Sequence, residues 1–439
     1  MLETTSMTAV ASHTPPSGTT RVYRKIAWRL IPFLCLCYLA AYLDRINIGL
    51  AKLQMANQLA LSDIAFGLGA GLFFVGYILF EVPSNLILQR VGARLWIARI
   101  MISWGLLSAG TLFVTTPGQF YVLRFLLGAA EAGFLPGVLF YLTRWFPSWR
   151  RGRIISLFMI GLPLSSVVGA PLSGFIMSHF DSAYGLHGWQ WMFLLEGLPS
   201  VLLGVLTFWL LPESIEQAHW LNEAERMQVR ADLAIDTREA PYLKHRFRDG
   251  FLNLKVWMLG GIDFSILLCA YAMGFWLPTF IKQAGVADIG QIGVLTAVPS
   301  IAALAGMVLL GASSDRLRER RWHIIVPFWL GAAAMAASTL FTHNIVMTVL
   351  LFSVAQAAII GTVPVFFSLP ATFLTGTAAA TGFALACSLA NIAGLVSNSI
   401  MGFAMELTGS GNGALWFFAF CLLLSSLLVV ALPAKLVNR

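Results

Sequence analysis

The stretch LPESIEQAHWLNEAERMQVRADLAIDTREAPYLKHRFRDG, residues 211–250, decides how the chain is organised. It is the only long polar segment in a sequence that otherwise consists of apolar runs. Crossing a hydrocarbon core takes about 20 helical residues, and six runs of suitable length lie on each side of it. The sequence therefore predicts an all-α polytopic membrane protein with twelve transmembrane helices in two six-helix bundles. The predicted spans cover residues 26–51, 64–87, 95–114, 119–142, 154–178, 189–211, 256–281, 289–312, 323–342, 345–368, 378–405 and 413–433.

The composition agrees with this class. Hydrophobic residues make up 58% of the 439 residues and charged residues 11%, which is outside the usual balance of a soluble domain. The apolar runs also lack the alternating pattern of a transmembrane barrel strand. The five cysteines all lie within apolar runs, where they are expected to act as small buried hydrophobes. Their spacing predicts neither disulfides nor a metal site, and we expect no cofactor.

The basic residues cluster between spans, and their distribution predicts the orientation. Of the 28 lysines and arginines, 24 fall on one side of the predicted membrane, which the positive-inside rule assigns to the cytoplasm. Both termini are therefore expected to face the cytoplasm of a cell with an inner membrane. We divide the chain into a disordered tail (1–20), a first bundle (21–211), a cytoplasmic loop (212–254) and a second bundle with a short tail (255–439).

Short basic turns follow the second helix of each half, at residues 85–95 (NLILQRVGARL) and 311–321 (GASSDRLRERR). Two corresponding turns in two halves of equal size suggest a duplicated transporter built around a central cavity. They are equally explained as turns that merely fix the topology.

Charges inside the spans are the main candidates for function, and two of them lie in AYLDRINIGL, residues 41–50. A charge at the bilayer centre costs roughly 2.5–3.5 kcal/mol on insertion scales, so such residues are rarely incidental. Arg124 and Glu131 are seven residues apart and therefore share one helix face. Asp44 is rotated about 100° from Arg45 and need not share its partners. The candidates are Asp44, Arg45, Glu81, Arg124, Glu131, Glu196, Asp263 and, at the end of the eleventh span, Glu406.

Two interpretations fit these charges. In the first, the residues form static ion pairs that hold helices together, although buried pairs stabilise weakly compared with apolar packing. In the second, the two arginines receive an anion, and Asp44 and Glu131 carry protons. Burial favours the neutral form of a carboxyl group and a nearby arginine favours the charged form, so protonation would follow substrate occupancy. Glu81, Glu196 and Asp263 are expected to be mainly structural, with the last two near span ends, and Glu406 has no assigned role.

Five motifs together resemble the anion:cation symporter family of the major facilitator superfamily, over about residues 22–433. They are YLDRINIG (42–49), GYILFEVPSNLIL (76–88), RVGARLWIARI (90–100), RFLLGAAEAGFLPGVLFYLTRWFP (124–147) and GWQWMFLLEGLPS (188–200). The resemblance implies two six-helix bundles that work by alternating access and that move organic anions, usually with protons.

The resemblance also implies roles for single residues. Asp44 and Glu131 match the proton-binding acids of the family, and Arg45 and Arg124 match its carboxylate-binding arginines. The substrate is further expected to meet three polar residues, Tyr42, Tyr77 and Asn391. The first basic turn departs from the superfamily pattern, with Asn85 and Gln89 where Gly and Asp are typical.

The function expected from these observations is proton-coupled uptake of a small organic anion, such as a hydroxylated sugar acid or the dicarboxylate tartrate. One alternative is the same fold carrying an aromatic carboxylate of the phthalate or hydroxyphenylacetate type, and another is a receptor that binds without transport. An enzyme is not expected, because no metal spacing and no nucleophile with a base is readable. We expect a monomer in the lipid bilayer, with the anion and protons as partners and no nucleic acid.

Overall fold

The computed structural model of the protein describes residues 17–239, 254–369 and 376–432, with side chains from 21–235, 254–369 and 389–432. Residues 1–16 of the predicted tail and 240–253 of the predicted loop lie outside the described residues. The helices are α1 (Ser17–Ile46), α2 (Ile48–Gln58), α3 (Asp63–Val91), α4 (Ala93–Gly110), α5 (Pro117–Glu131), α6 (Phe134–Thr143), α7 (Ser148–Met159), α8 (Gly161–His179), α9 (Gly188–Leu210), α10 (Glu223–Glu239), α11 (Leu254–Gln283), α12 (Ile289–Leu317), α13 (Trp322–Ser338), α14 (Ile345–Gly361), α15 (Val363–Ser368), α16 (Gly376–Thr408) and α17 (Asn412–Ala431).

Several neighbouring helices together form one span. Asn47, Ile160 and Thr362 keep right-handed helical backbone angles, so α1 continues into α2, α7 into α8 and α14 into α15. Ten helical segments of the described chain are long and apolar enough to cross a membrane, and α13 is a shorter apolar helix. With α16, these segments correspond to the twelve predicted spans, and the predicted fold class is confirmed.

The spans begin at short polar connections whose side chains cap the helices. Ser62, Thr116, Asp288 and Asn344 each accept a hydrogen bond from a backbone N–H of the first turn, at 2.7–3.3 Å. Such caps satisfy donors that a helix start leaves unpaired. All four lie at the same end of the molecule by chain order, opposite the basic turns, and we call it the short-connection end.

The two halves pack against each other through close helix contacts. α3 packs on α16, and α8 packs on α12. A Cβ atom at Gly67 would lie 2.4 Å from the carbonyl oxygen of Asn398, so a larger residue there would separate α3 from α16. Small residues at such positions allow membrane helices to approach closely.

Polar contacts join the halves at the short-connection end, and we call them the end closure. The Glu406 carboxylate accepts a hydrogen bond from the backbone N–H of Asp63 at 2.8 Å, at the start of α3. Lys52 pairs with Asp63 at 2.6 Å and lies 3.7 Å from the ring centroid of Trp276 in the second half. Trp276 in turn donates to Asn398 Oδ1 at 3.0 Å. The structure therefore represents a conformation in which this end is closed.

Candidate anion-binding site

The site forms where α1, α3 and α5 meet in the first half. A Cβ atom at Gly128 would lie 1.9 Å from the carbonyl oxygen of Phe73, so α5 can approach α3 only because residue 128 is glycine. This approach brings Arg124 and Glu131, one turn before and one turn after Gly128, close to α1 and α3.

An ion pair links the first and fourth spans. Arg45 Nη2 donates to Glu131 Oε1, and both side chains are largely buried. The Arg45 guanidinium is surrounded by aromatic rings, with its carbon 5.7, 5.2 and 5.3 Å from the ring centroids of Tyr42, Phe73 and Tyr77. Arginine is suited to this setting because its planar, weakly hydrated cation stacks on aromatic faces.

A break in the fourth span places Glu131 at the end of a helix. α5 ends at Glu131, and Gly133 takes a left-handed backbone conformation with φ of 88° before α6 begins. The carbonyl of Ala132, released by the break, accepts a hydrogen bond from Ser84 Oγ at 2.6 Å. Broken helices inside a membrane are tolerated where such partners satisfy the freed backbone groups.

Arg124 is the unusual member of the site. It is 2% exposed, and none of its three guanidinium nitrogens has a hydrogen-bond partner among the described residues. Its guanidinium carbon lies 5.0 Å from the ring centroid of Phe73. A buried cation that lacks hydrogen bonds costs several kcal/mol, and a bound anion would offset that cost.

Asp44 lies apart from the arginines. Its carboxylate accepts hydrogen bonds from Trp104 Nε1 at 2.7 Å, Ser108 Oγ at 2.9 Å and Ser200 Oγ at 3.0 Å. These donors come from α4 and α9 and are all neutral. Asp44 therefore forms no ion pair with Arg45 among the described residues.

A cavity of about 60 Å³ lies beside the site, between the two halves. Tyr42 lines it from the first half, next to Arg45. The buried Tyr271, on α11 of the second half, interacts electrostatically with both Arg45 and Glu131. The polar lining residues are Tyr42, Ser166, Thr296, Ser300 and Gln356, and the apolar ones are Ile46, Leu162, Pro163, Ala170, Ala270, Met273, Gly274, Leu277, Ala303 and Ile360.

The structure brings most of the predicted site residues together. Tyr42 and Tyr77 contact Arg45 as described, whereas Asn391 is partly exposed on α16 with no hydrogen bond to a described residue. The sequence interpretation missed Phe73 and Tyr271. For Phe73 the sequence signal is its spacing, which places it one turn before Tyr77 on α3. For Tyr271 we find no such signal.

The expected position of two acids was wrong. Glu196 is the ninth residue of α9 and Asp263 the tenth of α11, so both lie well inside their spans rather than near the ends. Both are buried. Glu81 interacts electrostatically with Arg45, and no ion pair joins it to the basic turn among the described residues.

Comparison with known proteins identifies the family. The sequence profile of the Major Facilitator Superfamily matches residues 34–397. The chain belongs to the Major Facilitator Superfamily. This transporter is 74% identical, over 96% of its own chain and 97% of the relative, to the "Putative metabolite transport protein NicT" of Pseudomonas putida. It is 43% identical to a "Putative tartrate transporter" of Agrobacterium vitis, over 94% of its own chain and 91% of the relative.

A solved structure shares the fold at low sequence identity. A bacterial homologue of the human lysosomal transporter Spinster, crystallised in an inward-facing and unoccupied conformation, matches with a TM-score of 0.70 and 17% identity. The match covers 95% of this chain and 96% of that one. The protein is thus a multi-span membrane transporter of the superfamily, with a small molecule as its substrate.

Proposed function

We propose that this transporter takes up a small organic anion together with protons, and that the substrate carboxylate binds Arg124 and Arg45. The observation that carries the proposal is the buried Arg124 guanidinium, which has no hydrogen-bond partner among the described residues. A guanidinium offers a fork of donors that matches a carboxylate. Aromatic contact with Phe73 alone leaves those donors unused.

The ion pair of Arg45 with Glu131 supplies a coupling mechanism. A substrate carboxylate competes with Glu131 for the Arg45 guanidinium. Once Glu131 loses that partner, its ionised form is disfavoured in a buried setting, and it takes up a proton. Binding of the anion and binding of the proton thereby favour each other.

For a dianionic substrate, the charges of the site favour the same coupling. Arg45, Arg124 and ionised Glu131 sum to +1, because Asp44 is held elsewhere by neutral donors. One carboxylate neutralises this set, whereas a dianion neutralises it only after Glu131 has been protonated. Carrying one negative charge into a cell costs about 2.3 kcal/mol per 100 mV, and cotransported protons offset that cost.

The orientation follows from the charge distribution of the connections. The positive-inside rule places the basic turns and both termini in the cytoplasm of an inner-membrane protein. The end closure of Glu406, Lys52 and Trp276 then seals the outer side. Closure of the outer side is expected for the step that releases an imported substrate to the cytoplasm.

Two substrate classes have support. A hydroxylated sugar acid or a dicarboxylate such as tartrate is supported by the similarity to the A. vitis relative. An aromatic carboxylate is favoured by the cavity, in which apolar residues outnumber polar ones, and by the three rings around Arg45. Rings of this kind stack on a flat apolar substrate body.

A thermal-shift screen on the purified protein separates these classes. The panel pairs L-tartrate with succinate, galactonate with galactose, and benzoate with benzamide, so that each pair tests hydroxyl groups or the carboxylate alone. A ligand that binds the folded state raises the unfolding temperature. Stabilisation by benzamide or galactose as strong as by the acids would contradict carboxylate binding.

Proteoliposomes then test transport and coupling. We expect accumulation of the stabilising acid when the outside is made acidic, and only exchange when no gradient is present. Uptake that ignores the pH gradient would refute symport. Binding without any flux would identify a receptor instead.

A further inference from the structure

Glu196 is a buried acid that the proposed coupling does not use. It is 5% exposed and lies within the first half on α9. Its carboxylate accepts hydrogen bonds from Ser173 Oγ at 2.6 Å and from Asn47 Nδ2 at 2.9 Å. Both donors are neutral, so Glu196 sits in the membrane interior without a cation as a hydrogen-bond partner.

Glu196 and Asp44 take part in neighbouring hydrogen bonds between α9 and the first span. Ser200 on α9 donates to Asp44 on α1, and Asn47, three residues beyond Asp44, donates to Glu196. Ser200 is four residues beyond Glu196, so the two helices run antiparallel. These two interhelical hydrogen bonds are about one helical turn apart, or roughly 5 Å along the axis. The two carboxyl groups are close enough to interact electrostatically.

An unused acceptor lies beside Glu196. Asn47 is 2% exposed, and its Oδ1 is buried without a hydrogen-bond partner among the described residues. Leaving a buried acceptor unpaired is unfavourable. A protonated Glu196 has an O–H that a rotated Asn47 amide can accept, whereas an ionised Glu196 has none. Asn47 can therefore hydrogen-bond to either form of Glu196, as a donor to the carboxylate or as an acceptor from the protonated acid.

Asp44 is the charged group that interacts electrostatically with Glu196. The charged side chains of two other neighbouring helices have partners of their own. On α2, Lys52 is paired with Asp63. On α4, Arg99 donates its hydrogen bond to Ser103 on its own helix. The polar group that α8 contributes is the neutral hydroxyl of Ser173, described above.

We propose that Glu196 is a third proton-binding acid of the transporter. It exchanges a proton with Asp44 across the helical turn of α9 that separates Glu196 from Ser200. In this step the O–H bond of Glu196 breaks and an O–H bond forms on Asp44, leaving Glu196 ionised and Asp44 neutral. The charge of the pair does not change. Glu196 lies one turn nearer than Asp44 to the short-connection end, so it connects Asp44 with the outer side. The inference rests on the proposed proton coupling.

Infrared difference spectroscopy tests the acid without any substrate. The purified protein is titrated with acid, and the carbonyl band of protonated carboxyl groups is followed in H₂O and D₂O. We expect Glu196→Gln to remove one component of this band, and Ser173→Ala, which keeps the carboxyl and removes one donor, to shift that component. Identical pH-dependent bands in the wild type and Glu196→Gln would overturn the proposal.

A transport experiment tests the role in coupling, with L-tartrate and benzoate as probes. A gradient of one pH unit is worth about tenfold accumulation per proton, and we expect Glu196→Gln to lose about that factor while keeping exchange. Ser173→Ala should keep both. Accumulation by Glu196→Gln at the wild-type level, with an unchanged pH profile, would also overturn the proposal.

A conservative variant provides an alternative test if Glu196→Gln does not fold. If Glu196→Gln is not recovered as a monodisperse protein, Glu196→Asp keeps the acid but shortens it, and its uptake should show a shifted pH profile. An unchanged profile in Glu196→Asp would count against a proton-binding role. If the wild type exchanges neither these probes nor galactonate, the proposed function fails, and the infrared titration still decides whether Glu196 binds a proton.

Discussion

Replacing Arg124 by methionine should stabilise the empty protein and abolish its response to ligand. Methionine has a similar length and removes a buried cation whose three nitrogens lack hydrogen-bond partners among the described residues. Such a cation costs several kcal/mol, of which the contact with Phe73 returns about 0.5–2 kcal/mol. Allowing for its attraction to Glu131, we expect Arg124→Met to raise the free energy of unfolding by about 1–3 kcal/mol.

The effect on the liganded protein has the opposite sign. A ligand at 100 times its dissociation constant stabilises the wild type by about 2.7 kcal/mol. In Arg124→Met this stabilisation should fall below detection, because the main carboxylate donor is gone. The assay is thermal unfolding followed by tryptophan fluorescence, with and without the acid identified in the screen.

Arg99→Met is the matched control. Arg99 also lies in a span and also stacks on an aromatic ring, 3.9 Å from the centroid of Trp96, but it is outside the site. This variant should keep the full ligand-induced shift. A lower unfolding temperature of the empty Arg124→Met protein, together with a preserved ligand shift, would show that Arg124 holds helices together and does not bind the substrate.

Three further predictions concern coupling, closure and packing. Glu131→Gln should spare exchange in proteoliposomes but lose pH-driven accumulation, and normal accumulation would exclude Glu131 from coupling. Glu406→Gln weakens a carboxylate contact at a helix start, worth about 0.3–1 kcal/mol, so outer labelling of a cysteine placed in the cavity should rise a few-fold, with Glu406→Asp closer to the wild type. Gly128→Ala places a Cβ atom 1.9 Å from the Phe73 carbonyl and should abolish the ligand shift, whereas Gly118→Ala, which meets no atom within 4 Å, should keep it.

The sequence predicted much of the fold because each span is a local pattern. Length and hydropathy fix where a helix crosses the membrane, and the segment at 211–250 separates the halves without any knowledge of packing. The ends of the spans were less well predicted. The first span, for example, continues through Asn47 to Gln58, beyond the predicted end at residue 51, because helical backbone angles persist at Asn47.

Part of the site was also readable, since helical periodicity fixes which side chains share a face. Arg124 and Glu131 were predicted on one face of the fourth span, and Asp44 was predicted to point away from Arg45. Both expectations agree with the geometry. The position of Glu196 was misjudged even though its span was predicted to start at residue 189, within one residue of the start of α9.

The amino-acid pattern was sufficient to establish the class of protein, the number of spans and the charges that must be explained. The packing of the helices was needed to show that Arg45 pairs with Glu131, that Asp44 accepts hydrogen bonds from α4 and α9, and that Arg124 contacts an aromatic ring. This difference arises because helical periodicity orients a side chain only relative to its own helix. Which helices meet, and how closely, depends on packing between segments far apart in the chain, such as the contact that Gly128 permits with Phe73.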